Sequence, residues 1–232
     1  MKHDELGNLK KMKVEIWSDI MCPFCYIGKR HFEEALRQFG HAAEIDIEWR
    51  SFQLDPDIPK ERKEIEHVYD YLAKRKGIGR EQSVKLHEKV VAMAKAAGLV
   101  YDFDKAIVAN SLQAHCVIQL AKTKGLGNEM EERFFKAYFT DGMDLGDPAT
   151  LIELGKEVGL EGAEVREALH SDDMAYLVKQ DIDDAGEIGV RGVPFFVFDR
   201  RYAVSGAQPA DIFLETIEKA FEEWKKKNPV TE

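Results

Sequence analysis

Apolar and polar residues alternate, with the two-residue period of a half-buried strand, only near the two ends of the chain, and this limits its fold more than any other feature. One run is Lys13 to Ser18, with Val14 and Ile16 against Glu15 and then Trp17; a second is Ile45 to Phe52, with Ile45, Ile47 and Trp49 against Asp46, Glu48 and Arg50. Two more, Pro194 to Phe198 and Tyr202 to Ser205, are joined by Asp199-Arg200-Arg201, which reads as a hairpin turn. Between the first two runs, Pro23 takes a first-turn position, and Ile27, Phe32, Leu36 and Phe39 recur near helical spacing until Gly40. After the fourth run, a helix begins near Pro209 with Ile212, Phe213, Ile217, Ala220, Phe221 and Trp224 on one side. Lys225, Lys226 and Lys227 stand at its C-terminal end, where cations favour the helix dipole. The frame is therefore β-α-β at one end of the chain and β-β-α at the other.

The middle changes period. Leu86, Val90, Met93 and Ala97 form one helical stripe before Gly98, and Val108, Leu112, Cys116 and Leu120 a second before Gly125. Phe134, Phe135, Tyr138 and Phe139 mark a third helix. Asp147-Pro148 caps a fourth carrying Leu151, Leu154 and Val158, and Ser171-Asp172-Asp173 opens a further one that Gly189 stops. The fold class is α/β: a discontinuous domain over 13–59 and 189–227, interrupted by an all-helical insertion over 60–188. At about 150 residues per domain, 232 residues suit one domain with a large insertion or two small ones.

Composition narrows the partners. With 44% hydrophobic residues the chain can bury a core, and 33 basic against 43 acidic residues leave a net charge of −10, which repels nucleic acid and anionic membrane surfaces. Charges interrupt every stretch before the ~18 apolar residues that a membrane helix needs. Met1 to Met12 carry no secretory or transit pattern, and His3-Asp4-Glu5-Leu6 is a retention address only at a C-terminus. Three cysteines make no disulfide scaffold, so the expected setting is a reducing cytoplasm, with a homodimer left open.

The chemistry centres on Cys22-Pro23-Phe24-Cys25, which stands between a strand and a helix, the context that turns a bare CxxC into a redox motif. Helix N-terminal N–H groups stabilise an anion, so Cys22 is expected to ionise below the free thiol value of about 8.5 and to attack. Cys25, a turn deeper, is suited to resolve a mixed disulfide on Cys22. CxxC is also half of many zinc sites, but no second CxxC or HxxxH cluster completes one, so no metal is expected. In Gly189-Val190-Arg191-Gly192-Val193-Pro194-Phe195-Phe196, a proline opening a strand invites a cis Val193-Pro194 bond. Facing Cys22, it would leave the Val193 backbone to pair with an extended substrate, with Pro23 and Phe24 as neighbouring binding residues; an ordinary strand-start proline is the alternative.

Taken together, Trp17-Ser18-Asp19-Ile20-Met21-Cys22-Pro23-Phe24-Cys25-Tyr26-Ile27-Gly28-Lys29-Arg30, the helical insertion, Gly192-Val193-Pro194-Phe195-Phe196 and Val204-Ser205-Gly206-Ala207-Gln208-Pro209 resemble the FrnE-like branch of the DsbA family of thioredoxin-fold oxidoreductases. The resemblance runs from about Lys13 to Trp224. It implies a thioredoxin-like fold and dithiol-disulfide exchange on proteins or small thiols, with Cys22 as nucleophile, Cys25 resolving and a cis Pro194 beside them. No cofactor is implied beyond the cysteine pair, with glutathione a candidate co-substrate. One departure bears on direction: Phe24 stands where periplasmic DsbA-type oxidants carry histidine, and potentials of related motifs span about −270 to −120 mV. The direction of electron flow is not fixed by the motif; with no export signal, a cytoplasmic reductase or isomerase is the expected role. Two alternatives stay open. Kappa-class glutathione transferases and 2-hydroxychromene-2-carboxylate isomerases resemble the same arrangement but generally lack the CxxC, and a thiol-dependent holdase would use apolar surface around Phe24, Phe195 and the insertion.

Other residues carry weaker signals. Cys116 lies on an apolar stripe and reads as a buried structural thiol. His115 is expected on another face, bonding locally. Asp19, three residues before Cys22, reads as a turn cap or as a group that tunes the thiols and relays a proton. Ser205 and Gln208 shape the groove or cap the last helix. Gly77-Ile78-Gly79 and Gly125-Leu126-Gly127 lack a third glycine, so nucleotide cofactors are not expected.

Overall fold

The structure, a computed structural model, describes residues 10–62 and 64–229; the N-terminal readings on residues 1–9 lie outside the described residues. The four expected strands form one mixed sheet in the order β2-β1-β3-β4. Strand β1 (Met12–Ser18) and strand β2 (Ile45–Ser51) are parallel, Ile16 opposite Trp49, and are linked by helix α1 (Pro23–Gln38). Strand β3 (Phe195–Phe198) runs antiparallel to β1, with Phe196 opposite Ile16, and pairs with β4 (Tyr202–Ser205). The three-residue hairpin turn holds Asp199 and Arg200 at φ 49° and 52°, a left-handed pair closed by Arg201 N–H donating to the Phe198 carbonyl at 3.0 Å.

Alternation decides which side chains go to which face. Met12, Val14 and Ile16 join Phe196, Phe198, Phe32 of α1 and Phe213, Ile217 and Trp224 of α9 (Ala210–Lys227) in one core. The opposite face buries Trp17 with Ala185, Val190 and Val197. Glu15 is buried there too, paired to Arg50 at 2.7 Å and to Arg200.

Between β2 and β3 lie α2 (Val68–Lys76), α3 (Arg80–Ala96), α4 (Leu112–Thr123), α5 (Gly127–Lys136), α6 (Pro148–Glu157), α7 (Gly162–Ala168) and α8 (Asp172–Glu187). Asp147 and Ser171 cap as expected, accepting from the backbone N–H of Thr150 and Met174. Their core is continuous with Ile20, Cys22, Cys25 and Tyr26. The insertion therefore roofs the motif between β1 and α1.

Several faces differ from expectation. The inward stripe of α3 is Ser83, His87 and Ala94, while Leu86, Val90 and Ala97 are half-buried and Met93 is 45% exposed. The rings of Tyr69 and Phe103 lie edge-on to His87, whose Nδ1 bonds the Ser83 backbone carbonyl at 2.9 Å, and this packing around the imidazole turns the helix. Val108 precedes α4 in an extended segment, its N–H donating to the Glu66 carbonyl. Helix α4 is not amphipathic: every residue from Ala114 to Ala121 is buried, because α5 and α8 cover it along with α7. Ile212 of α9 is exposed at its first turn.

Candidate active site

Cys22 is the N-cap of α1 in extended backbone, Pro23 follows at the first helical position, and Cys25 lies one turn in. The turn closes on itself: Cys22 N–H donates to the Asp19 carbonyl at 2.9 Å and Cys25 N–H to that of Cys22 at 3.0 Å. From outside, the Tyr101 hydroxyl donates to the Pro23 carbonyl at 2.7 Å, so the insertion pins the first turn. Both cysteines are free thiols, 3% and 1% exposed. Burial, then the hydrogen bond with Cys22, pushes the Cys25 thiol well above its ordinary value.

The Val193-Pro194 bond is cis, and the Cys22 thiol lies 3.4 Å from the Val193 carbonyl oxygen. The two segments quoted above for the motif and the proline thus meet across the fold. Gly28 permits the meeting: a Cβ there would stand 3.0 Å from Pro194 Cγ. Pro194 is further held by its carbonyl, which accepts from Gly206 N–H at 2.8 Å. Phe24 is 38% exposed and Val193 half-buried. A groove of about 430 Å³ passes Val193, Pro194, Phe195, Ser205 and Gly206, with Arg191 the one charged side chain among its lining. Gln208 does not line it; its amide donates to the Ser205 carbonyl at 3.0 Å and its own carbonyl bonds His31. A larger cavity of about 760 Å³, between α4, α8 and β2, contains neither cysteine.

Asp19 is a turn cap, and more. One carboxylate oxygen accepts from Met21 N–H at 3.2 Å and the other from Leu54 N–H at 2.8 Å. His115 corrects the expectation of a histidine that bonds locally: it is fully buried, neither ring nitrogen has a hydrogen-bond partner, and Nε2 lies 3.7 Å from Asp19 Oδ1. The signal that could have found it was the apolar run around it, Ala114 to Leu120, broken only by His115 and Gln119. Gly28 and Arg191 carried no comparable signal. Cys116 is buried in α4, and burial pushes its thiol up to about 11. Among the described residues, no three His, Cys, Asp or Glu side chains gather as a metal would require, and no helix is long and apolar enough to cross a membrane.

A strand leading to a buried dithiol at a helix N-terminus, with a cis proline from a distant strand beside it, defines a thioredoxin-type fold with an inserted helical block. The profile of the DSBA-like thioredoxin domain matches residues 13–218, and the chain belongs to that family. A probable DsbA oxidoreductase from Streptomyces coelicolor is 37% identical, with a TM-score of 0.86 over 91% of each chain. The uncharacterized protein YwbO of Bacillus subtilis is 27% identical over 92% of this chain and 98% of its own. The cytosolic disulfide reductase DsbM from Pseudomonas aeruginosa shares the fold at 16% identity, with a TM-score of 0.62 over 94% of this chain and 100% of that one.

Proposed function

We propose that this chain is a thiol-disulfide oxidoreductase of the FrnE-like branch, in which Cys22 attacks and Cys25 resolves. The observation that carries the reading is the 3.4 Å contact between the Cys22 thiol and the Val193 carbonyl at a cis proline, made across 171 positions of sequence. The Cys22 thiolate attacks a substrate disulfide, forming a mixed disulfide and releasing one substrate thiolate. Cys25 then attacks the Cys22 sulfur, forming the Cys22–Cys25 bond and releasing the second. Val193 and Pro194, with Pro23 and Phe24 at the rim, form the binding surface for the segment that carries the reacting sulfur.

Phe24 brings no charge or donor to stabilise a Cys22 thiolate, which supports a reducing or isomerising role over an oxidising one. The Pseudomonas aeruginosa reductase has also been solved with GSH, which supports glutathione as the small thiol that recharges the pair. A 2-hydroxychromene-2-carboxylate isomerase shares the fold at 16% identity and a TM-score of 0.61, but the second cysteine favours exchange over isomerisation.

The test is glutathione-dependent reduction of a glutathionylated peptide. Cys22→Ser abolishes turnover, and Cys25→Ser accumulates a mixed disulfide on Cys22. Turnover that survives Cys22→Ser would overturn the reading. Stoichiometric protection of an aggregating protein by the native chain, without turnover, would move it to a thiol-dependent holdase.

A further inference from the structure

Behind the cysteine turn, the insertion buries titratable side chains that the exchange reaction above does not use. His115 of α4 and Glu131 of α5 are both completely buried, and neither ring nitrogen nor carboxylate oxygen has a hydrogen-bond partner in the protein. An unpaired buried polar group costs its full desolvation penalty, and an unpaired charge more, so such groups persist in a core where they serve a purpose. Asp19 links it to the active site. Its carboxylate is 3.7 Å from His115 Nε2, and its backbone carbonyl holds Cys22 N–H in the turn that also carries Cys25. Ser18, whose buried hydroxyl is likewise unpartnered, precedes it and favours an ionised Cys25, as does the Asp19 backbone.

We propose that Asp19, His115 and Glu131 form one buried proton store, which takes up the Cys25 proton as Cys25 closes the disulfide and returns it when the pair is reduced. The inference rests on the dithiol reading. At 1% exposure Cys25 meets almost no solvent, and burial keeps it a thiol near neutrality. When it attacks the Cys22 sulfur, the Cys25–Cys22 bond forms, the bond from Cys22 to the substrate sulfur breaks, and the substrate leaves as a thiolate. The Cys25 proton then needs an acceptor inside the protein, and Glu131 and His115 can supply one. Burial lifts the Glu131 carboxyl to about 7, against the opposing pull of His115. For His115, burial disfavours the charge, but Asp19 and Glu131 outweigh it and raise the imidazole above its ordinary value. The charged groups facing the cluster are Lys29 from α1 and Lys122 from α4, with Asp19 from the turn after β1; the Phe52 backbone faces His115 from beyond β2. Lys29 is itself held by Glu33 and by Glu132, the latter at 2.9 Å, and so stays with its own partners.

The experiment follows the two exchange steps separately. Reduced full-length protein is mixed with oxidised glutathione, quenched in acid at short times, and the Cys22-glutathione adduct and the closed disulfide are counted by mass between pH 6 and 9. In the native chain the closing step rises with pH and levels as the store loses its proton. Glu131→Gln keeps the volume and removes the acceptor: it leaves adduct formation unchanged, slows closing at least about tenfold at pH 7, and makes it rise continuously with pH as direct ionisation of Cys25 takes over. His115→Gln tests the same store from the other helix and is expected to shift the same profile. Closing that keeps the native rate and pH profile in both variants would overturn the proposal, as would equal slowing of both steps, which marks a structural role. A native chain that never closes Cys22 to Cys25 would instead sink the dithiol reading itself, and that result is read without any variant.

Discussion

Replacing Gly28 by alanine probes how closely the cysteine helix and the cis-proline loop fit. The new Cβ would stand 3.0 Å from Pro194 Cγ and 3.5 Å from Ala207 Cα and Phe196 Cε2. Alanine inside a helix is favoured over glycine by about 1 kcal/mol, so in open surroundings the change stabilises. Here the proline ring must give way, yet its carbonyl is tied to Gly206 and Phe196 is fully buried behind it. One extra methyl in such a filled site costs about 1–3 kcal/mol, leaving a net loss of about 1 kcal/mol, or about 2–4 °C in Tm for a chain of this size. Gly186, inside α8, is the control: a Cβ there meets nothing within 4 Å, and Gly186→Ala should stabilise by up to about 1 kcal/mol. Calorimetry gives both Tm shifts, and the iodoacetamide rate at Cys22 reports whether the loop has moved. Equal stabilisation by the two substitutions, with an unchanged Cys22 rate, would refute the claim that this contact is filled.

Further outcomes follow from the buried charges and thiols. Asp181 is 3% exposed and accepts from Ser51 N–H at 2.9 Å, Gln119 at 2.6 Å and Arg50 at 2.8 Å; Arg50 keeps Glu15 and Gln119 keeps the Ser51 hydroxyl, so Asp181→Ala strands the buried Ser51 N–H and should cost about 1–3 kcal/mol in urea unfolding. The neighbouring glutamates should act oppositely with pH. Burial raises Glu132, but Arg30, Lys29 and Tyr26 overcome it and hold the carboxyl at about 2, so its stabilisation is present above 4.5 and is lost as pH falls towards 2; Glu132→Gln removes that part of the acid fall. Glu131, raised from 4.5 to about 7, binds its proton more tightly in the folded state, so stability declines as pH rises between those values, and Glu131→Gln flattens that decline. In reduced native protein at neutral pH, alkylation resolved by mass should reach Cys22 before Cys25 and Cys116, whose thiols burial holds high; prior modification of Cys116 would contradict this.

The residues with local signals were legible in the sequence. Pro23 after Cys22, the Asp147-Pro148 and Ser171 caps, and the turn at Asp199-Arg200 each act within a few positions, and each forms as read. The four strands followed from four short alternating runs and the cis proline from the family resemblance, while the order of the strands in the sheet is set by long-range pairing. What periodicity misjudged were helices covered from more than one side: α4 has no solvent face to alternate with, and α3 turns inward on Ser83 and on His87, whose ring bonds the Ser83 backbone carbonyl. The deeper part of the site was hidden for another reason. His115 and Glu131 gain their meaning from Asp19, about a hundred residues earlier in the chain, and Gly28 gains its meaning from Pro194.

The central claim is that Cys22 and Cys25 are one reversible redox couple. Equilibration in a series of glutathione redox buffers with metal chelated, followed by alkylation and mass analysis of all three cysteines, tests it directly. The account requires a Cys22–Cys25 disulfide that forms and opens reversibly around a single midpoint, with Cys116 a thiol throughout. Thiols that never pair, or that pair only through Cys116, would contradict it.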